Sequence, residues 1–269
     1  MSVGAAPGPR AGARRLRRVG WWGLGWLGLG CAAVAWQVAS GLAGSTILPG
    51  VGPAVTHTWR LVTGPVLTAD LVPSIVRTLV GFGISAVLGV ALGLLTGLSR
   101  TAQEWTASVF DFGRSLPTPL LIPVALVLFG LGGSMVIAVI VTAAVWPVLI
   151  NTANATRALE PTLVDTGRIL GLRGPSLLRR VVVPAVSPQI FAGLRIAISV
   201  SLAVMVVSEI LGGGSGIGYF IANAQQSFAI DDSYAGVIIL CLLGWAFDTL
   251  FLLIERRLLS WQRGTVGGE

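Results

Sequence analysis

Residues 165–184 read DTGRILGLRGPSLLRRVVVP, the most polar long run inside an otherwise apolar chain. Asp165, Arg168, Arg173, Arg179 and Arg180 stand here between two stretches suited to a bilayer, so the run belongs in water. Pro161 is placed to start one short helix, the 171–174 segment GLRG to break it, and Pro175 to start the next. Two helices joined by a tight break form a knob, and a knob projecting from a membrane is a docking point for something soluble.

Working outward, 54% of the 269 residues are hydrophobic and only 11% charged, against about 25% charged in a globular average. Lipid is therefore the main solvent. Apolar runs predict six spans, at 21–40, 74–98, 106–131, 134–150, 189–211 and 234–254, an all-α polytopic membrane protein. The first is read as an uncleaved helix behind a disordered basic tail, 1–20, rather than as a signal peptide. Residues 21–263 form one transmembrane domain and 264–269 a short tail. Within it, 54–62 is an amphipathic piece at the outer interface, and 151–188 is the large polar loop. Along 74–98, Gly81, Ser85, Gly89, Gly93 and Gly97 recur every fourth residue, which predicts a close helix–helix seam. Pro117, Pro119 and Pro123 predict a kinked or irregular third span.

The net charge of +7 comes entirely from arginine, because the chain has no lysine. With both termini inside, 14 of the 18 Arg fall in the inner segments 1–20, 98–105, 151–188 and 255–269. The basic excess is thus topology, and a nucleic-acid partner loses its support. A phosphate-binding loop needs lysine, so the chain has no ATPase site of that type. His57 is the single histidine, which removes histidine-based metal clusters and HExxH proteolysis; no metal site and no catalytic residue is assigned. Cys31 and Cys241 are too far apart for a metal or redox pair and are expected to be buried thiols. Arg77 and Glu209, both near the outer boundary, either form an ion pair or reach water separately; Asp248 has no evident partner. The residues leave open a subunit of an energised transporter, a self-sufficient secondary carrier or channel, and a membrane scaffold.

The 165–184 run resembles the EAA loop of permease subunits of bacterial binding-protein-dependent ABC importers. Asp165-Thr166-Gly167 stands for EAA, Gly171 for the following glycine, Val181 for the isoleucine, and Val183-Pro184 for Leu-Pro. The likeness extends over about 47–263, through RSLPTPLLIPVALVLFGLG, GLRIAIS, SEILGGGSGIGY and LLIERRLLSW, and is similar to the branch handling nitrate, sulfonates, taurine, bicarbonate and some thiamine precursors. It implies a type I importer permease (MetI-like) fold in the bacterial cytoplasmic (inner) membrane. It also implies a homodimer, two ATPase subunits that bind the ATP and Mg, an extracytoplasmic solute-binding protein, and no cofactor in this chain. On this resemblance Asp165, Thr166, Gly167, Gly171, Leu172, Arg173, Gly174 and Pro184 couple to the ATPase. Asp231 and Asp232, in an outer loop, either contact the binding protein or are simply solvated. Ser115, Ser201, Met205, Ser208 and Glu209 are the expected lining of a path for a small anion or sulfonate-like solute.

Overall fold

A computed structural model describes residues 27, 28, 30–44 and 48–260. The expected tails 1–20 and 264–269, and the start of the first span, lie outside these residues. The described residues are helical throughout, with no strand among them, and divide between His57 and Thr58 into two compact units.

In the first unit an apolar helix α1 (Gly30–Ala43) is met by residues 48–51. The Trp36 indole N–H donates to Pro49 O at 2.9 Å, the Ser40 hydroxyl to Leu48 O at 2.7 Å, and Val51 N–H to Gln37 Oε1 at 3.0 Å. Helix α2 (Val51–Thr63) covers the piece expected at the interface.

The second unit holds four helices long and apolar enough to cross a membrane: α3 (Leu67–Leu98), α6 (Gly133–Arg157), α8 (Pro175–Gly212) and α10 (Ile230–Leu258). Between α3 and α6 the chain makes α4 (Arg100–Ser115), a 3-10 turn, and α5 (Leu121–Phe129). The kinked or irregular third span expected over 106–131 is two segments bent by 86°. The break falls at Leu116-Pro117, both extended, since Pro117 disfavours the helical conformation in the residue before it. Short helices α7 (Pro161–Ile169) and α9 (Ile217–Gln226) complete the unit.

The small-residue stripe of α3 packs on α6. A Cβ on Gly81 would lie 2.6 Å from Ile140 Cγ2, on Gly89 2.6 Å from Val148 Cβ, and on Gly93 2.6 Å from Thr152 Cβ. Each pair is separated by the same 59 positions, so the helices run parallel in constant register, held by close backbone approach rather than side-chain interlock. On its other side α6 meets α8, where Gly193 sits against Pro147 O and the Val148 backbone. Met135, Val136, Ile140, Met205, Ile217 and Ile239 fill the core toward one end of this bundle.

Two wide π turns, Leu67–Leu71 and Leu178–Val182, come just before Pro73 and Pro184. Each closes through a bond spanning five residues, Val72 N–H to Leu67 O and Val183 N–H to Leu178 O, which lets the helix pass a residue that lacks a donor. Cys31 and Cys241 are exposed, contrary to the expectation of buried thiols. In lipid the outward face of a span is as apolar as its inward face, so apolar neighbours do not predict burial.

Candidate functional site

Two constructions at opposite ends of α8 carry the polar chemistry. The first is the loop from Ala158 to Pro184. Helix α7 starts at Pro161 and ends where Gly171 adopts φ 82°. Leu172 N–H donates to Gly167 O and Gly171 N–H to Arg168 O, both at 3.0 Å, the pair of bonds that closes a helix through a left-handed residue. Gly174, at φ 50°, starts the next helix. Between them Arg173 N–H donates to Ser176 Oγ at 3.1 Å and the Ser176 hydroxyl returns to Arg173 O at 2.8 Å. The turn 171–174 is thus fixed on both sides.

Gly167 is buried, and a Cβ there would come within 2.7 Å of Leu177 Cδ1 and 3.2 Å of Val181 Cγ2. The glycine standing for an alanine lets α7 lie tight against the opening of α8. Asp165 pairs with Arg168 at 3.1 Å across one exposed turn, where the pair adds little stability. Thr166 turns its hydroxyl to Thr162 O. What the knob presents is its tip: Ile169 is 86% and Leu170 75% exposed, beside the exposed Arg168, Arg173, Arg179 and Arg180. An apolar point rimmed by cations is the anatomy of a docking surface. Pro184 lies in the first turns of α8, half-buried.

The second construction joins the other end of α8 to α3 and α9. The Glu209 carboxylate, fully buried, takes Arg77 Nη1 at 2.9 Å, the Ser74 hydroxyl at 2.8 Å and Gly218 N–H at 3.1 Å. Arg77 also donates to Ser215 O and Ser215 Oγ, each at 2.7 Å. Gly216 N–H donates to Asp70 Oδ1 at 3.0 Å and Ile217 N–H to Ser74 Oγ at 2.9 Å. The amides of Gly216, Ile217 and Gly218 at the opening of α9, which no helix can satisfy internally, are thus capped by side chains from two other helices. A Cβ at Gly216 would collide with the Glu209 carboxylate, so only glycine fits there. Of the two readings of Arg77 and Glu209, the ion pair is the one present. Sequence reasoning missed Asp70, Ser74 and Ser215, although Asp70, Ser74 and Arg77 at i, i+4 and i+7 share one helical face aimed at a glycine-rich turn.

Ser201, Met205 and Ser208 have no exposed surface and pack inside this single chain, with the Ser201 hydroxyl bonded to Ala197 O at 2.7 Å. Ser115 is exposed at the end of α4 and donates to Asp111 O. The structure therefore does not bring Ser115 together with the residues of α8. Asp248 finds a partner in Arg195, at 3.2 Å. Among the described residues no cluster could hold a metal ion.

Residues 87–260 match the family described as binding-protein-dependent transport system inner membrane component. The chain is 34% identical over 248 residues, 91% of its length and 93% of the relative's, to a putative aliphatic sulfonates transport permease of Escherichia coli (strain K12). It is 34% identical to a bicarbonate transport system permease of Synechococcus elongatus, covering 84% of this chain and 85% of that one. A nitrate import permease of Synechocystis sp. is 31% identical, with 82% and 84% covered. Among solved structures, a chain of the inward-facing MetNI methionine ABC transporter superimposes with a TM-score of 0.63 at 17% identity, covering 74% of this chain and 96% of that one.

Proposed function

We propose, from the premise that this chain belongs to the family of binding-protein-dependent transport system inner membrane components, that its 165–174 knob is the part through which a separate ATPase drives solute across the membrane. The chain is the membrane-spanning permease subunit of an ABC importer, a transport component whose ATP hydrolysis resides in another subunit. The single observation that carries the coupling role is the exposed Ile169-Leu170 tip on a helix whose end is locked at Gly171. An apolar tip gains by burial in a partner groove, and the locked turn lets it transmit force instead of bending. Asp165, Thr166, Gly167, Leu172, Arg173, Gly174 and Pro184 hold or flank that tip. ATP and its Mg belong to the ATPase, two copies of which would serve two copies of this chain, with a solute-binding protein on the outer side.

The substrate class follows from the relatives, whose names specify aliphatic sulfonates, bicarbonate and nitrate. A small oxyanion is the chemistry these share. The test is reconstitution with the cognate ATPase and binding protein, screening ethanesulfonate, taurine, nitrate and bicarbonate for stimulated ATP hydrolysis and uptake. Ile169→Asp and Gly171→Glu are each expected to leave the permease inserted while abolishing the stimulation. Wild-type stimulation in both variants would place coupling elsewhere.

A further inference from the structure

The Arg195–Asp248 pair stands where neither lipid nor the function so far assigned accounts for it. Nε of Arg195 lies 3.2 Å from Asp248 Oδ1, and Nη2 3.5 Å from Oδ2, joining α8 to α10. Both side chains are about half open, at 48% and 44% exposure. Their depth follows from the helix rise of about 1.5 Å per residue. Arg195 is about 21 Å along α8 from the buried Glu209, and Asp248 about 12 Å along α10 from the exposed Arg256. With Glu209 near the outer boundary and Arg256 on the inner side, as the charge distribution places them, a hydrocarbon layer about 30 Å thick holds the pair about 12 Å from its inner edge. A half-open ion pair at that depth faces water or protein, because exposure to acyl chains costs several kcal/mol.

The surface around Arg195 is open along one stripe of α8. Ala192, Arg195, Ser199 and Ala203 are exposed at helical spacing, with the exposed Ile196 and Val207 along one edge, while Gly193, Ala197, Ser201 and Met205 on the other side are buried. The small side chains of Ala192, Ser199 and Ala203 along the guanidinium's stripe leave room for a solute, and Arg195 gives an oxyanion one fixed cationic contact. We propose that this stripe walls the water-filled solute path, and that Arg195, held in place by Asp248, meets the passing oxyanion. The proposal rests on the reading of the chain as an importer permease for small oxyanions, and assigns to the open face of α8 the role expected of Ser201, Met205 and Ser208.

The test needs no transport, so its failure is separable from failure of that reading. Ser199→Cys is made in the full chain with Cys31→Ser and Cys241→Ser, and the protein is placed in lipid nanodiscs open on both faces. It is treated with a sulfonate-bearing and a quaternary-ammonium-bearing methanethiosulfonate, and with a lipid-soluble maleimide. Expected is complete labelling by both water-soluble reagents. Adding Arg195→Gln with Asp248→Asn, which removes both charges together, should lower the sulfonate-to-ammonium rate ratio at least threefold; Arg195→Lys should retain most of it. Labelling by the maleimide alone would mean that the stripe faces lipid. A disulfide between two copies with no reagent access would mean that it is a protein–protein seam. Either result overturns the wall, and an unchanged rate ratio overturns the role of Arg195.

Discussion

At the scale of single residues, Glu209 and Gly171 show how differently a polar and a small residue become indispensable. Glu209 is a buried carboxylate with a guanidinium, a hydroxyl and an amide on its oxygens. Removing Arg77 leaves that charge in an apolar setting, and Arg77→Ala is expected to cost about 3–5 kcal/mol, measured as lost resistance to denaturation in mild detergent. Exchanging the two charges should not restore stability, because Ser74 O–H and Gly218 N–H would then point at an arginine. Gly171 carries a conformational load instead. Gly171→Ala meets open space, so its cost is set by φ 82° alone, about 1–2 kcal/mol. It should lower the melting temperature modestly and leave coupling largely intact, whereas the larger Gly171→Glu, at the proposed docking turn, should stop it.

At the scale of elements, the α3–α6 seam shows what the sequence makes plain. A four-residue repeat of small side chains in an apolar run has one economical use, and Gly81, Gly89 and Gly93 each meet one α6 side chain. Gly89→Val would thrust two methyls into Val148 and the Val145 carbonyl. It should separate the helices and cost about 1–3 kcal/mol or more, read as lower thermal stability of the purified chain. The same reading located the knob and its stop at Gly171, and held the Arg77–Glu209 pair as one of two outcomes. It did not find the 86° break between α4 and α5, because three prolines announce irregularity without fixing its angle. Nor did it tell the two faces of α8 apart. With lipid outside, Ser201 and Ser199 look alike in sequence, and only the packing of the neighbouring helices decides that one is buried and the other open.

At the scale of the whole second unit, the knob and the Glu209 network belong to one element. Helix α8 continues, through its π turn at Leu178–Val182, for 38 residues, from Pro175 beside the exposed tip to Gly212 beside the capped turn. At about 1.5 Å per residue that is a rod of about 57 Å. Such a rod is a lever: tilted by about 5° near its middle, its two ends swing in opposite directions by about 2.5 Å each. Hydrogen bonds of 2.7–3.1 Å do not survive relative movements of that size. The cluster around Glu209 is then a latch, and a pull at the knob strong enough to tilt the lever must either carry α3 and α9 along with it or open the latch.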